Sequence, residues 1–180
     1  MLRNVQLFLI KPSQYDDGYV VQVKIHMFDE TVDKIAVKSI CRSQRSDYTR
    51  TIVCLAGVQT SQFPRAADLA RIFLRAGLKV MIGGFHVSGY LSLLSEIPPD
   101  IQQLLDEGVT IVKGEVEEAW RDLLCDAVHG RLRPLYDFMS DKPDLYEKPI
   151  PVIRKEYLRK FVAPTSARST NTRGNGRHAN

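Results

Sequence analysis

The amino-acid sequence predicts an α/β domain built on an open, mostly parallel sheet. Three observations carry that expectation. The stretch Ile52–Gly89 reads as a buried strand, a polar turn, an amphipathic helix, a second buried strand and a loop led by Gly83-Gly84. A further strand–helix pattern follows it, Val109–Val112 and then Glu115–His129. Polar or glycine-rich turns close each of these strands, and in open α/β sheets the strand ends are where ligands bind.

Composition supports a single folded domain. The chain has 180 residues, 44% hydrophobic and 26% charged, which is the composition of a soluble globular protein. No apolar run approaches the roughly 18–20 residues that span a bilayer, so no membrane partner is expected. The opening MLRNVQLFLIKPSQYDD is basic and then apolar, but its apolar run is short and no small-residue cleavage site follows. A core strand explains it better than a signal peptide, and the protein is expected in the cytoplasm. Cys41, Cys54 and Cys125 form no CxxC pair, so buried free thiols are expected rather than a metal or iron–sulfur site. The net charge of +4 is local: seven basic residues against Glu156 give +6 over 154–180 and leave −2 for the rest. No basic face with interleaved aromatics appears, and no nucleic-acid partner is expected.

Taken in order, Val5–Ile10 fits a strand buried on both faces, ended by Lys11-Pro12-Ser13. Asp16-Asp17-Gly18 makes a turn. Val21, Val23, Ile25 and Met27 then alternate with Gln22, Lys24, His26 and Phe28 as a second strand, on which His26 is expected to be exposed. Only about ten residues separate these strands, whereas a parallel crossover needs a dozen or more. The connection is either an antiparallel hairpin or a place where a helix is absent. Asp29–Asp33 reads as a turn, Lys34–Ile40 as a short strand or the start of an irregular connection, and Arg42–Arg50 as a polar loop.

Thr51–Val58 is the strongest strand. After it, Pro64 fits the first turn of a helix whose apolar side is Ala66, Leu69, Ile72/Phe73 and Ala76, with Gly77 as its left-handed cap. Leu78–Ile82 is the next strand. Tyr90–Ser95 reads as a short helix, and Ile101–Asp106 as another with Asp100 as N-cap and Gly108 as stop. In Glu115–His129 the stripe runs through Val116, Trp120, Leu123/Leu124 and Ala127/Val128, with Trp120 as a core anchor. Glu115, Glu117 and Glu118 complement that helix's dipole. The α/β domain is expected over 1–140, a proline-rich linker over 141–162, and a disordered basic tail over 163–180.

Gln59–Gln62, Gly83–Gly89 and Gly114–Glu117 end three strands that would lie side by side in a parallel sheet. Together they would form a shelf for a flat or phosphate-bearing ligand. Paired glycines let backbone approach a ligand closely, and Thr60 and Ser61 offer hydroxyls beside a helix N-terminus. The plainer alternative is a tight turn at Gly83-Gly84 and a capping segment at Thr60-Ser61-Gln62; spacing does not choose between them. Neither GxGxxG nor GxxxxGK[ST] occurs, which argues against the common dinucleotide and nucleoside-triphosphate sites. No Ser/His/Asp arrangement stands out, and His86 is a lone ring at a strand end. Asp16-Asp17 follow the first strand, as in a receiver domain's acidic pocket, but Gly57-Val58-Gln59 stand where a phosphorylatable Asp would be needed.

The run GVQTSQFPRAADLARIFLRAGLKVMIGGFHVSG at Gly57–Gly89 is similar to the cobalamin-binding domain that precedes the catalytic barrel in cobalamin-dependent radical S-adenosylmethionine (radical SAM) enzymes. The similarity takes in IKPSQYDDGY, Gly114–Glu117 and HGRLRPLYDF, roughly residues 4–160, with Ser61–Ala66 and Gly83–Gly89 its most specific parts. The resemblance implies a doubly wound, flavodoxin-like sheet with the first helix missing or shortened. It implies cobalamin on the strand-end shelf, with Gly83, Gly84, Phe85 and His86 at the corrin face and Thr60 and Ser61 near the nucleotide tail. Gln59, Gln62, Gly114 and Glu115 complete the implied site, in which His86 is a contact and not an axial ligand.

Three departures from the family shape the expectation. The DxHxxG signature is missing, as it often is in the radical enzymes. The helix between the first two strands, one wall of the cofactor site, is absent. Where a family member proceeds to CxxxCxxC, this chain runs into Ala163–Asn180, so it reads as truncated, with no iron–sulfur cluster and no S-adenosylmethionine chemistry of its own. The expected function is cobalamin binding without catalysis, alongside a separate radical SAM catalytic chain. The alternative is a ligand-free flavodoxin-like interaction module or a non-functional truncated remnant.

Overall fold

The structure, a computed structural model, describes residues 5–16, 19–31, 34–46 and 51–140. The chain divides into two units, Met1–Lys148 and Pro149–Asn180. The second unit, like the whole linker and tail expected over 141–180, lies outside the described residues.

Six strands, β1 (Gln6–Asp16), β2 (Tyr19–Asp29), β3 (Ile52–Ala56), β4 (Lys79–Gly83), β5 (Thr110–Gly114) and β6 (Leu135–Phe138), form one sheet. Helices α1 (Val37–Ser46), α2 (Phe63–Arg75), α3 (Phe85–Leu93), α4 (Pro99–Asp106) and α5 (Trp120–Val128) connect them. The spatial order is β2-β1-β3-β4-β5-β6. From β3 to β6 neighbours run parallel, and β1 is antiparallel to both its neighbours. This is a mostly parallel α/β sheet. No helix among the described residues is long and apolar enough to cross a membrane.

The short connection after β1 decides the topology. β1 and β2 pair directly, Ile10 opposite Ile25 and Asp16 opposite Tyr19, so the connection is the hairpin. Pro12 does not end β1; it sits opposite Val23 beside two register shifts, where a missing N–H is tolerated. Because β1 opposes both neighbours, β2 runs parallel to β3 with β1 between them, and α1 carries the chain across. A helix therefore occupies part of the stretch read as a strand or irregular connection and a polar loop. Its Val37, Ile40 and Cys41 pack on the core, and the polar run from Arg42 hides that period in the sequence.

Strand alternation feeds two unequal layers. Leu7, Val53, Leu55, Val80, Ile82 and Ile111 face a core closed by α1 to α4, with Phe73 of α2, Val87 of α3 and Leu104 of α4 all buried. Ile10, Ile52, Cys54, Met81, Val112 and Tyr136 face the other way and, among the described residues, meet α5 as their only helix. Arg65 ties α2 to the hairpin side: its Nη2 donates to Glu30 Oε1 at 2.6 Å and its Nε at 3.2 Å, while the Val5 N–H donates to the same carboxylate at 3.3 Å.

Three helix starts differ from expectation. α3 begins at Phe85, directly after Gly84, so most of the expected Gly83–Gly89 loop is helical. α4 begins at Pro99 with Pro98 at the cap position, and Asp100 instead accepts the Ile101 N–H at 2.9 Å. α5 begins at Trp120 rather than Glu115, after a turn at 117–119, which leaves Glu115, Glu117 and Glu118 ahead of the helix.

Candidate functional site

The carboxyl ends of β3, β4 and β5 lie side by side, as parallel pairing requires. The turns leaving them are built onto one another. The Val58 N–H donates to the Gly83 carbonyl at 3.1 Å, and the His86 N–H donates to the Val58 carbonyl at 3.0 Å. That approach demands glycine: Gly84 has φ +138°, and a Cβ there would fall 2.1 Å from the Val58 nitrogen. Gly114, at φ +90°, also lies close to β6, where a Cβ would stand 2.7 Å from the Phe138 carbonyl carbon. The Gly114 N–H donates to Ser88 Oγ at 3.0 Å, which joins the β4 turn to the β5 turn.

The chain leaves β3 and β4 toward the four-helix face and leaves β5 toward the α5 face. Where connections part to opposite faces, a crevice opens at the strand ends. Here the parting lies between β4 and β5, and a cavity of about 340 Å³ lies there on the α5 side. Cys54, Met81, Gly83 and Val112 line it from the sheet, with Val116 and Trp120 across from them. Glu115 and Glu117 also line it, and among the described residues no basic side chain does. Neighbouring Lys113 donates to Asp137 at 2.8 Å, an interaction that holds the Asp137 carboxyl below its usual range. The crevice therefore suits a flat apolar group, neutral or cationic, better than a phosphate.

Comparison with known proteins finds no relative: no family model, no curated protein and no solved structure matches the chain significantly.

The ten residues expected at the site fall into separate places. Gly83, Gly84, Gly114 and Glu115 line the crevice. Gln59, Thr60, Ser61 and Gln62 do not; they form the turn into α2. Gln62 Oε1 accepts the Gln59 N–H at 2.8 Å, and the Gln59 carbonyl accepts from Gln62 and Phe63, so the segment is closed on itself as a turn. Phe85 is 77% exposed and lies outside the lining. His86 is buried on the four-helix side, its ring stacked on Phe63 at 4.0 Å and tilted against Tyr90 at 4.5 Å. Burial pushes its pKa down, opposed by the Asp100 carboxylate 4.0 Å away, and neither ring nitrogen has a hydrogen-bond partner. It is a neutral ring packed away from the crevice.

Asp16 ends β1 at the opposite edge of the sheet from Gly83, because β1 runs antiparallel to β3. Among the described residues no acidic pair on the receiver pattern stands there; Asp17 lies outside them. Sequence reading missed Met81, Cys54 and Trp120 as lining residues; Trp120, expected as a core anchor, does pack against the α5-side core and lines the crevice as well. The available signal was alternation: Cys54 and Met81 share the strand face opposite Leu55 and Ile82. Burial pushes the Cys54 thiol up to about 12, so it is not a nucleophile near neutral pH. Among the described residues no three His, Cys, Asp or Glu side chains gather to hold a metal ion.

Proposed function

We propose that the chain is a cobalamin-binding domain of the radical SAM type, holding cofactor and leaving catalysis to a separate chain. The observation that carries this reading is the crevice. It lies under Gly83-Gly84 and Gly114-Glu115, four of the residues on which the resemblance rests, and at the kind of place where open α/β sheets bind ligands. The order β2-β1-β3-β4-β5 is also that of a flavodoxin-like sheet, with β1 reversed as the departure.

The residues present fit part of the cofactor. Met81, Val112 and Trp120, with Gly83 adding no side-chain bulk, would hold a planar apolar portion by burial, with polar and phosphate groups left in water. His86 packs on Phe63 and is not among the crevice's lining residues, so it would not be among the residues that hold the cofactor. A bound cobalamin supplies cobalt chemistry; this chain's own residues bind it, orient it and exclude water from one side.

The test is direct. The protein mixed with hydroxocobalamin and passed over a sizing column should carry the corrin absorbance in its own peak. Gly83→Leu, which places a side chain at the crevice, should weaken binding at least tenfold with an unchanged circular dichroism spectrum. Corrin that elutes free from the unaltered protein overturns the reading. A second reading, a ligand-free module that pairs with a separate radical SAM chain, draws support from edge strand β2, where Ile25 is 50% and Met27 40% exposed. It expects capture of such a chain with no corrin present.

A further inference from the structure

His86 is a buried titratable ring that the crevice does not use, yet it sits beside the turns that form the crevice. Its side chain is 5% exposed, and neither ring nitrogen has a hydrogen-bond partner. Its neighbours come from three helices. Phe63 of α2 stacks on it at 4.0 Å, Tyr90 of α3 is tilted against it at 4.5 Å, and Asp100 of α4 places Oδ2 4.0 Å from its Nε2. Among the described residues the Asp100 carboxylate is the one charge acting on the ring.

A neutral ring belongs in this seat and an imidazolium does not. Two charged N–H donors would stand in an apolar site with no acceptor, at the second residue of α3, where the helix dipole is already positive. Asp100, with its side chain 58% exposed, offers the charged ring a partner at the edge of the solvent.

A movement of residue 86 does not stay local. Its N–H donates to the Val58 carbonyl at 3.0 Å, and the Val58 N–H donates to the Gly83 carbonyl at 3.1 Å. Further along the same helix, Ser88 Oγ accepts the Gly114 N–H at 3.0 Å. Gly83, Gly84 and Gly114 all line the crevice. A Cβ on Gly84 would fall 2.1 Å from the Val58 nitrogen, so the interlocked turns have no slack to absorb a displacement. We propose that His86 is a proton switch for the crevice. On taking a proton from solvent, the ring leaves Phe63 and Tyr90 for the Asp100 carboxylate, the first turn of α3 moves with it, and the lining at Gly84 and Gly114 loosens. By linkage, the crevice holds its ligand more tightly while His86 is neutral, and a bound ligand resists the proton. The switch needs the crevice and not the identity of what it binds.

Trp120 lines the crevice and is the chain's single tryptophan, so its emission reports on the lining with no ligand present. Between about pH 7.5 and about pH 5 the emission of the full chain should move to longer wavelength, with the folded circular dichroism spectrum retained. The midpoint should lie below the ordinary imidazole value and coincide with the titration of the His86 ring followed by NMR. His86→Phe should abolish the shift, whereas His129→Gln, at the end of α5, should leave it. Asp100→Asn removes the partner of the charged ring and should move the midpoint to lower pH. Ser88→Ala cuts the link to Gly114, so His86 should still titrate while the Trp120 response flattens. A Trp120 emission that is constant over this range overturns the proposal. So does a shift that persists in His86→Phe, a midpoint that Asp100→Asn leaves in place, or a Ser88→Ala response equal to the parent's.

Discussion

The two faces of the sheet start from the same strand alternation and end in different states. Below α1 to α4, Leu7, Leu55, Ile82 and Phe73 are shut off from water. On the α5 side, Met27 is 40% exposed at the β2 edge, and Cys54 and Met81 border a cavity. The difference comes from the β1–β2 hairpin. A parallel sheet with a helix after every strand would place another helix beside α5; a hairpin places none. The open crevice is therefore a consequence of chain connectivity, and the closed face is what holds the domain together.

Large-to-small substitutions break that comparison most directly. Phe73→Ala removes a fully buried ring from the closed face and should cost about 3–5 kcal/mol in urea unfolding. Met81→Ala on the open face should cost about 2 kcal/mol, because it enlarges a space already present. Equal losses would show that the α5 side is as well packed as the other.

Gly84→Ala tests the seam between the faces. Its Cβ has no room beside Val58, and its φ is unfavourable for an L residue, so a loss of about 3 kcal/mol is expected. Amide exchange should rise first in the turns after β3 and β4. A neutral result would mean that the two turns do not interlock as described.

The smallest effect is the pH response of His86. Burial lowers its native pKa, so above the ordinary imidazole value both folded and unfolded chains hold it neutral. As pH falls through that value the unfolded chain takes the proton first, and the fold loses stability until the pH passes the native value. His86→Phe keeps a ring against Phe63 and Tyr90 and should narrow the loss measured between about pH 7.5 and about pH 5. An unchanged pH profile would assign the acid sensitivity to other groups.

Much of the fold was legible because its periods are strong. Ile52–Gly83 reads as strand, helix and strand since buried β-branched residues, Pro64 and Gly77 each mark a boundary by local chemistry. α1 was not legible: its packed side chains, Val37, Ile40 and Cys41, are too few to outweigh a polar run. The early start of α3 was masked by Gly89, which reads as a loop residue and stands in a helix because neighbours hold it there. The site was half legible. Gly83, Gly84 and Gly114 announce close backbone approach, but their glycines answer first to Val58 and Phe138 and only then to any ligand.

Local sequence by itself determined the cores of β1 to β5 but not β6 or the far end of β1, and it determined the α2 boundaries, the exposed His26 and the buried Cys54 and Cys125, because period and turn chemistry act within a few residues. Tertiary structure alone decided the direction of β1, the side on which the crevice opens and the turning of His86 away from it. Those depend on which strands become neighbours and which face each connection takes, and neither is written in any short stretch of chain.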